Sequence, residues 1–158
     1  MPNPPLRPDD HLKLDEFLCF AVYAANHAFN RVYKPLLGRL GLTYPQYLVM
    51  VALWERDNQT VGSLCKKMCL ESSTLTPLLK RLQTTKHIKR TRDPADERQV
   101  RVLLTEKGRR LREKALDIPG CILEASGLRV EDLRRLYGEI TALRHALEDY
   151  GSDASKAA

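Results

Sequence analysis

TVGSLCKKMCLESSTLTPLLKRLQTTKHIKRTRDPADERQVRVLL, running from Thr60 to Leu104, is the stretch that decides the fold. Thr60 can cap a short helix over Val61–Met68, because its hydroxyl can accept a first-turn amide. A second helix is predicted from Ser72 or Ser73 to about Thr85. Its Leu75, Leu78, Leu79 and Leu82 recur at i, i+3, i+4 and i+7, a stripe that faces a core. Pro77 is expected in the first turn or so, where a missing amide costs little. The other side presents Ser72, Ser73, Thr74, Thr76, Lys80 and Arg81. Short hydroxyls and cations suit base edges and phosphates; a plain solvent face is the alternative. His87–Arg92 and Gln99–Leu104 read as two strands, with Val100, Val102 and Leu104 alternating with polar Arg101. Asp93-Pro94-Ala95-Asp96-Glu97-Arg98 is the turn between them. Arg98 at its tip suits a narrow minor groove. Asp96 and Glu97 beside it can orient it, or neutralise it in a local salt bridge. Helix, turn, helix and two-stranded hairpin make a winged helix-turn-helix, a mainly α fold with a small β-hairpin wing. Such a module grips duplex DNA.

Charge agrees with that reading. Lys80 to Arg110 holds 11 basic and 4 acidic residues, a net of +7, whereas the whole 158-residue chain carries +6. The remainder therefore sums to −1, and one patch carries the basic character. No apolar run is long enough for a membrane span, and the start MPNPPLRPDD lacks a signal core. Four cysteines without metal-like spacing fit a reduced, cytoplasmic protein.

Outward from the module, helical periodicity covers about Leu12 to Tyr33, with a boundary at Pro35 and a stop at Gly41. Thr43 caps the next helix, with Pro45 in its first turn, to about Arg56. Thr105 opens a helix reaching about Asp117, where Pro119-Gly120 kinks or interrupts it. A last amphipathic helix spans about Val130 to Tyr150, with Leu133, Leu136, Ile140, Leu143 and Leu147 on one face. Two long amphipathic helices have little to cover in one small domain, so a homodimer is expected.

Cys19 sits on the first helix. Tyr23 lies one turn further along, and Tyr33, fourteen residues on, returns to within roughly 40° of that face. Phenolic hydroxyls can donate to a thiolate and lower the thiol's pKa, and the thiolate is the form that attacks peroxide. A cysteine on an apolar helix is as readily a small core residue, and aligned tyrosines are as readily interface residues. Cys65 and Cys69, four apart, read as packing residues, the alternative being a thiol pair or half a metal site. His11, His27, His87 and His145 are scattered, so no metal or other cofactor is implied.

The segments LCFAVYAANHAFNRVYKPLL, LGLTYPQYLVMVALWE, SSTLTPLLKRL, DERQVRVLLTEKG and ALDIPG carry a resemblance from about Leu14 to Tyr150. They resemble the MarR family of winged-helix repressors, in particular its organic hydroperoxide-sensing (OhrR-type) branch. The resemblance implies a dimeric, DNA-binding repressor that senses peroxide at Cys19, with Tyr23 and Tyr33 contacting that cysteine across the dimer. It also implies a wing Arg98 partnered by Asp96. By the same resemblance, Cys121, just after Ile118-Pro119-Gly120, is the candidate resolving thiol for an intersubunit disulfide; otherwise a low-molecular-weight thiol caps Cys19. Glu71, Ser73, Cys65 and Lys86 depart from the family pattern, the last three standing where glycine is common. The organisation implied is a flexible arm (1–10), a sensor and dimerisation helix region (11–42), a DNA-binding lobe (43–104), dimerisation helices (105–150) and a disordered tail (151–158). Two rival readings are a repressor gated by a reversibly bound aromatic molecule and a thiol peroxidase enzyme, which would leave the basic winged helix unexplained.

Overall fold

In the computed structural model the backbone is described for residues 12–157 and side chains for residues 12–152; the arm expected over residues 1–10 lies outside the described residues. The chain divides after Leu116 into two compact units. The first holds α1 (Leu18–Gly38), α2 (Tyr44–Glu55), β1 (Gln59–Thr60), α3 (Val61–Met68), α4 (Ser72–Thr84), β2 (Ile88–Arg92), β3 (Val100–Leu104) and α5 (Glu106–Leu111). The second holds α6 (Ile118–Ser126) and α7 (Val130–Ala157). Short 3-10 turns at Leu14–Glu16 and Arg112–Ala115 precede α1 and follow α5.

The boundary expected at Pro35 is not where α1 ends. The helix runs through Pro35 to Gly38. Proline removes the donor to the Arg31 carbonyl and costs about 3 kcal/mol inside a helix. Leu37 and Leu40 lie beyond it and are buried. Each buried leucine stabilises by about 1.5–3 kcal/mol, enough to hold the last turn. Gly41, at φ +66, then reverses the chain. Its amide donates to the Gly38 carbonyl and that of Leu42 to the Leu37 carbonyl, each at 3.2 Å, which closes the helix end.

The winged lobe follows its predicted order. Thr43 caps α2, with its amide donating to Gln46 Oε1 at 2.9 Å. Thr60 caps α3 by accepting from Ser63 N at 3.1 Å. Leu75, Leu79 and Leu82 of α4 are fully buried against a core that includes Val49, Met50, Leu53, Leu64, Ile88 and Val102. Pro77 is the sixth residue of α4, deeper than the first turn expected for it. The three buried leucines that flank it supply several kcal/mol, which offsets the lost hydrogen bond.

The sheet has three strands rather than two. β3 lies in the middle of the order β1-β3-β2, and both pairings are antiparallel. Gln59 pairs with Val102, and Ile88 with Leu104. Gln59 is buried because its amide caps α2: Nε2 donates to the Ala52 and Arg56 carbonyls at 2.7 and 2.6 Å.

α5 belongs to this lobe, so the boundary expected at residue 104 sits instead after Leu116. The Trp54 indole donates to the Gly108 carbonyl at 2.9 Å, and Arg109 pairs with Asp57 at 2.9 Å. A Cβ on Gly108 would lie 2.1 Å from the His87 carbonyl oxygen. Only glycine allows α5 to approach the start of β2 this closely.

In the second unit Pro119 does not kink an existing helix. It stands in the first turn of a new one, α6, where its missing amide is harmless. Gly127 at φ +65 ends α6. α7 continues to Ala157, which corrects the disordered tail expected after Tyr150. Ala158 lies outside the described residues.

Candidate nucleic-acid interface and thiol site

Ser72, Ser73, Thr74, Lys80 and Arg81 are exposed on α4, and Thr76 is half-buried. At about 100° per residue, Ser73, Lys80, Arg81 and Thr84 lie on the side opposite the buried leucines, with Thr76 at its edge. Thr76 Oγ1 donates to the Ser72 carbonyl at 2.7 Å and Thr84 Oγ1 to the Lys80 carbonyl at 3.0 Å. Each hydroxyl hydrogen is thereby used, and the oxygen is left as an acceptor. The surface offered by α4 is one of hydroxyl oxygens, first-turn amides and two cations.

The end of α4 is tied to the wing. Gln83 Oε1 accepts from Arg90 Nε of β2 at 2.6 Å. Thr105 Oγ1 donates to the Lys86 carbonyl at 2.6 Å, and Lys107 Nζ to the Thr85 carbonyl at 2.8 Å. Lys86 takes φ +62, which explains why glycine suits that position. His87 is buried with Nδ1 2.8 Å from Thr85 Oγ1. Burial, and then the nearby Lys107 cation, hold its imidazole below the ordinary pKa and hence neutral.

The wing tip is organised by two aspartates. Asp93 accepts from Ala95 N at 2.8 Å, and Asp96 Oδ1 accepts from Arg98 N at 3.1 Å. Asp96 Oδ2 accepts from Gln99 Nε2 at 3.0 Å. Both are aspartate turns of the kind that fix loop backbone. Asp96 thus holds the backbone of Arg98. No carboxylate among the described residues pairs with the Arg98 guanidinium, which is exposed, so the local salt bridge weighed as its alternative does not form.

Asp93 and Arg101 were not singled out by sequence reasoning. Asp93 is buried and ion-paired with Arg101. The Ala95 amide and the Arg101 side chain hold its carboxyl below the usual range. The Asp-Pro pair at 93–94 signals a turn, but nothing in the sequence marks the carboxylate as buried. Asp57 was also missed. Burial raises its carboxyl, but the amides of Leu104 and Asn58 and the Arg109 side chain outweigh that and lower it.

On α1, Cys19 and Tyr23 are both exposed and one turn apart. The Tyr23 ring meets His27 edge-on at 4.4 Å. Tyr33 is elsewhere: fourteen residues place it about 21 Å along the helix from Cys19. It packs at 4.5 Å on Tyr44 and at 5.8 Å on Tyr47 of α2. A single chain therefore does not bring Tyr33 to its own Cys19. Burial first, then Tyr44 and Tyr47, push the Tyr33 phenol up to about 12. Burial also raises Tyr44. Both keep their protons at neutral pH and remain hydrogen-bond donors. Tyr44 is a phenol that the sequence reading passed over, because it looked like the first residue of a buried helix.

Cys121 is half-buried in α6, in the second unit. Cys65 is half-buried, but Cys69 is exposed at φ +52, the left-handed residue that ends α3, so Cys69 is a turn residue rather than a packing one. Among the described residues no cluster of three or more candidate ligands could hold a metal ion, and no helix is long and apolar enough to cross a membrane.

The model of the SarA/Rot transcriptional regulators matches residues 31–115. The organic hydroperoxide resistance transcriptional regulator of Bacillus subtilis is 46% identical over 138 residues, covering 87% of this chain and 94% of that one. The regulator TtmR of Methylorubrum extorquens is 46% identical over 139 residues, covering 88% of this chain and 71% of that one. Among solved structures, AbfR of Staphylococcus epidermidis superposes with a TM-score of 0.71 at 36% identity, covering 83% and 91% of the two chains. AbfR is also described reduced and bound to DNA, and in a disulfide form.

Proposed function

This chain belongs to the MarR family of winged helix-turn-helix transcription regulators, with organic hydroperoxide resistance regulators among its relatives, and from that premise we propose that it is a peroxide-responsive repressor switched by Cys19. α4 enters the major groove and Arg98 the minor groove of operator DNA. The observation that carries the sensing half is the exposed Cys19–Tyr23 pair on α1, where the neighbouring Leu18 and Val22 are also exposed.

The functional unit is a homodimer. Two faces support this. Leu18, Val22, Phe29 and Val32 on α1, and Leu136, Ile140 and Leu147 on α7, are exposed large hydrophobics. A soluble chain does not leave such stripes in water without a partner. A two-fold dimer also presents two α4 helices to a pseudo-palindromic site. In it, the proton-bearing phenols of one subunit, Tyr33 together with Tyr44, reach the Cys19 thiolate of the other.

The Cys19 thiolate attacks the terminal oxygen of an organic hydroperoxide. The O–O bond breaks, the alcohol leaves with a proton, and Cys19 becomes a sulfenic acid. The thiol of Cys121 from the partner then displaces water from that sulfur and forms an intersubunit disulfide; failing that, a low-molecular-weight thiol does the same. The new bond biases the dimer toward a spacing of the two DNA-reading heads that no longer fits the operator.

One equivalent of cumene hydroperoxide followed by non-reducing electrophoresis and intact-mass measurement tests the sequence of events. The wild type should give a covalent dimer, and both Cys19→Ser and Cys121→Ser should give none. A dimer persisting in Cys121→Ser excludes the Cys19–Cys121 pairing. Unchanged mass in the wild type excludes sensing at Cys19 altogether.

A further inference from the structure

Asp93 is the one acidic residue buried in the wing, inside the most basic part of the chain. Its side chain is 7% exposed and ion-paired with Arg101 Nε, whose side chain is 33% exposed. Oδ1 of Asp93 accepts from Ala95 N at 2.8 Å, and its own amide donates to the Gln99 carbonyl at 2.9 Å. One residue therefore closes both sides of the loop that carries Arg98. Arg101 continues the connection. Its Nη1 donates to the Asn58 carbonyl at 3.1 Å and lies 3.4 Å from Asn58 Oδ1. Asn58 sits in the turn after α2, at φ +56, and its neighbour Asp57 holds Leu104 N at 2.8 Å.

We propose that Asp93 and Arg101 are positioning residues that aim Arg98 at the minor groove by anchoring the wing loop to the Asn58 turn. The proposal rests on the DNA-docking reading above. Burying a carboxylate in this place has a physical cost that ordinary hairpin stability does not require. A tip of aspartate turns alone would fix the local backbone but not its direction relative to the lobe. The arginine supplies that direction, because its planar fork spans the wing carboxylate and the Asn58 carbonyl at once. A lysine carries its donors on one nitrogen and lacks the two separate, fixed directions that Arg101 uses here.

A double-mutant cycle on full-length protein tests this. Operator affinity is read by fluorescence anisotropy at fixed salt, with thermal midpoints recorded in parallel. Arg98→Ala should weaken binding about tenfold or more. Asp93→Asn should weaken binding by a similar factor when Arg98 is present, and less than about twofold when Arg98 is already alanine. Equal losses in both backgrounds would overturn the proposal, because Asp93 would then act on the lobe in general. The lowered thermal midpoint expected of Asp93→Asn should be the same in both backgrounds, which separates positioning from stability. Should Asp93→Asn fail to fold, Arg101→Lys in the same cycle decides it: coupling to Arg98 supports the anchor, and additivity overturns it. Wild-type protein that bound no DNA would instead refute the docking reading, and an Arg98→Ala variant that bound as wild type would refute the role of the wing tip.

Discussion

Replacing Gly108 with alanine should destabilise the lobe, although helix propensity alone says the opposite. Gly108 is the third residue of α5, and glycine to alanine in a helix is worth about 1 kcal/mol in alanine's favour. The added Cβ, however, would stand 2.1 Å from the His87 carbonyl oxygen, 3.1 Å from its carbon and 3.3 Å from Leu104 Cδ2. The oxygen is backbone and cannot rotate away. It also accepts from Thr105 N at 3.1 Å. α5 must therefore move off β2 by about 1 Å to restore ordinary contact, a strain of the overpacking kind worth about 1–3 kcal/mol or more. That movement also stretches the 2.9 Å bond from Trp54 Nε1 to the Gly108 carbonyl, worth about 1 kcal/mol. The net expectation is a loss of about 1–3 kcal/mol, or roughly 3–10 °C in midpoint for a chain of this size. Thermal unfolding followed by the emission of Trp54, the only tryptophan, reads both stability and the indole environment. An alanine variant as stable as wild type, with unchanged emission, would refute the close-approach argument.

Other outcomes follow from the same contacts. Gln59→Leu removes the donor that the buried Ala52 carbonyl and the part-buried Arg56 carbonyl now share, and should cost about 1 kcal/mol in chemical denaturation; a neutral result would mean water replaces the amide. Lys86→Gly removes a left-handed lysine and should be neutral or stabilising by up to about 1 kcal/mol; a clear loss would show that the lysine side chain holds the wing base. Stability should also fall on acidification in two stages. His87 is depressed in the fold, so its contribution is complete above about pH 6.5, the free imidazole value, and is lost as pH falls through its lower folded value. Asp57 and Asp93 are likewise depressed, so theirs is present above about pH 4 and disappears below it. Melts from pH 8 to 3 should show a plateau, a first decline removed by His87→Gln, and then a second; a flat profile between pH 7 and 5 would contradict the buried neutral imidazole.

The parts of the fold legible in the sequence are those governed by local rules. Thr43 and Thr60 are caps whose chemistry is contained in a few residues, and both helices begin where those residues put them. The leucine period of α4 is equally local. The rest depends on contacts that periodicity does not encode. Pro35 reads as a boundary with only a short turn continuing to Leu40, because proline usually breaks a helix, but burial of Leu37 and Leu40 carries α1 unbroken past it to Gly38. β1 is two residues long and exists because β3 offers a free edge, so no alternation pattern announces it. The site divides in the same way. The polar face of α4 and the tip arginine are visible as residue types at a spacing. Asp93, Arg101 and Asn58 are not, because their meaning lies in a bond spanning 43 positions. Tyr33 shares a helical sector with Cys19, yet about 21 Å of rise separates them, and angle alone hides that distance.

We propose that oxidation of Cys19 controls the grip on DNA, and a titration of operator binding by the reduced protein against an organic hydroperoxide, with Cys19→Ser beside the wild type, decides it. Both proteins should bind the operator when reduced. The wild type should be released by about one equivalent of peroxide per subunit and should rebind after treatment with a dithiol, while Cys19→Ser should stay bound throughout. Release of Cys19→Ser at the same peroxide dose as wild type would contradict the account.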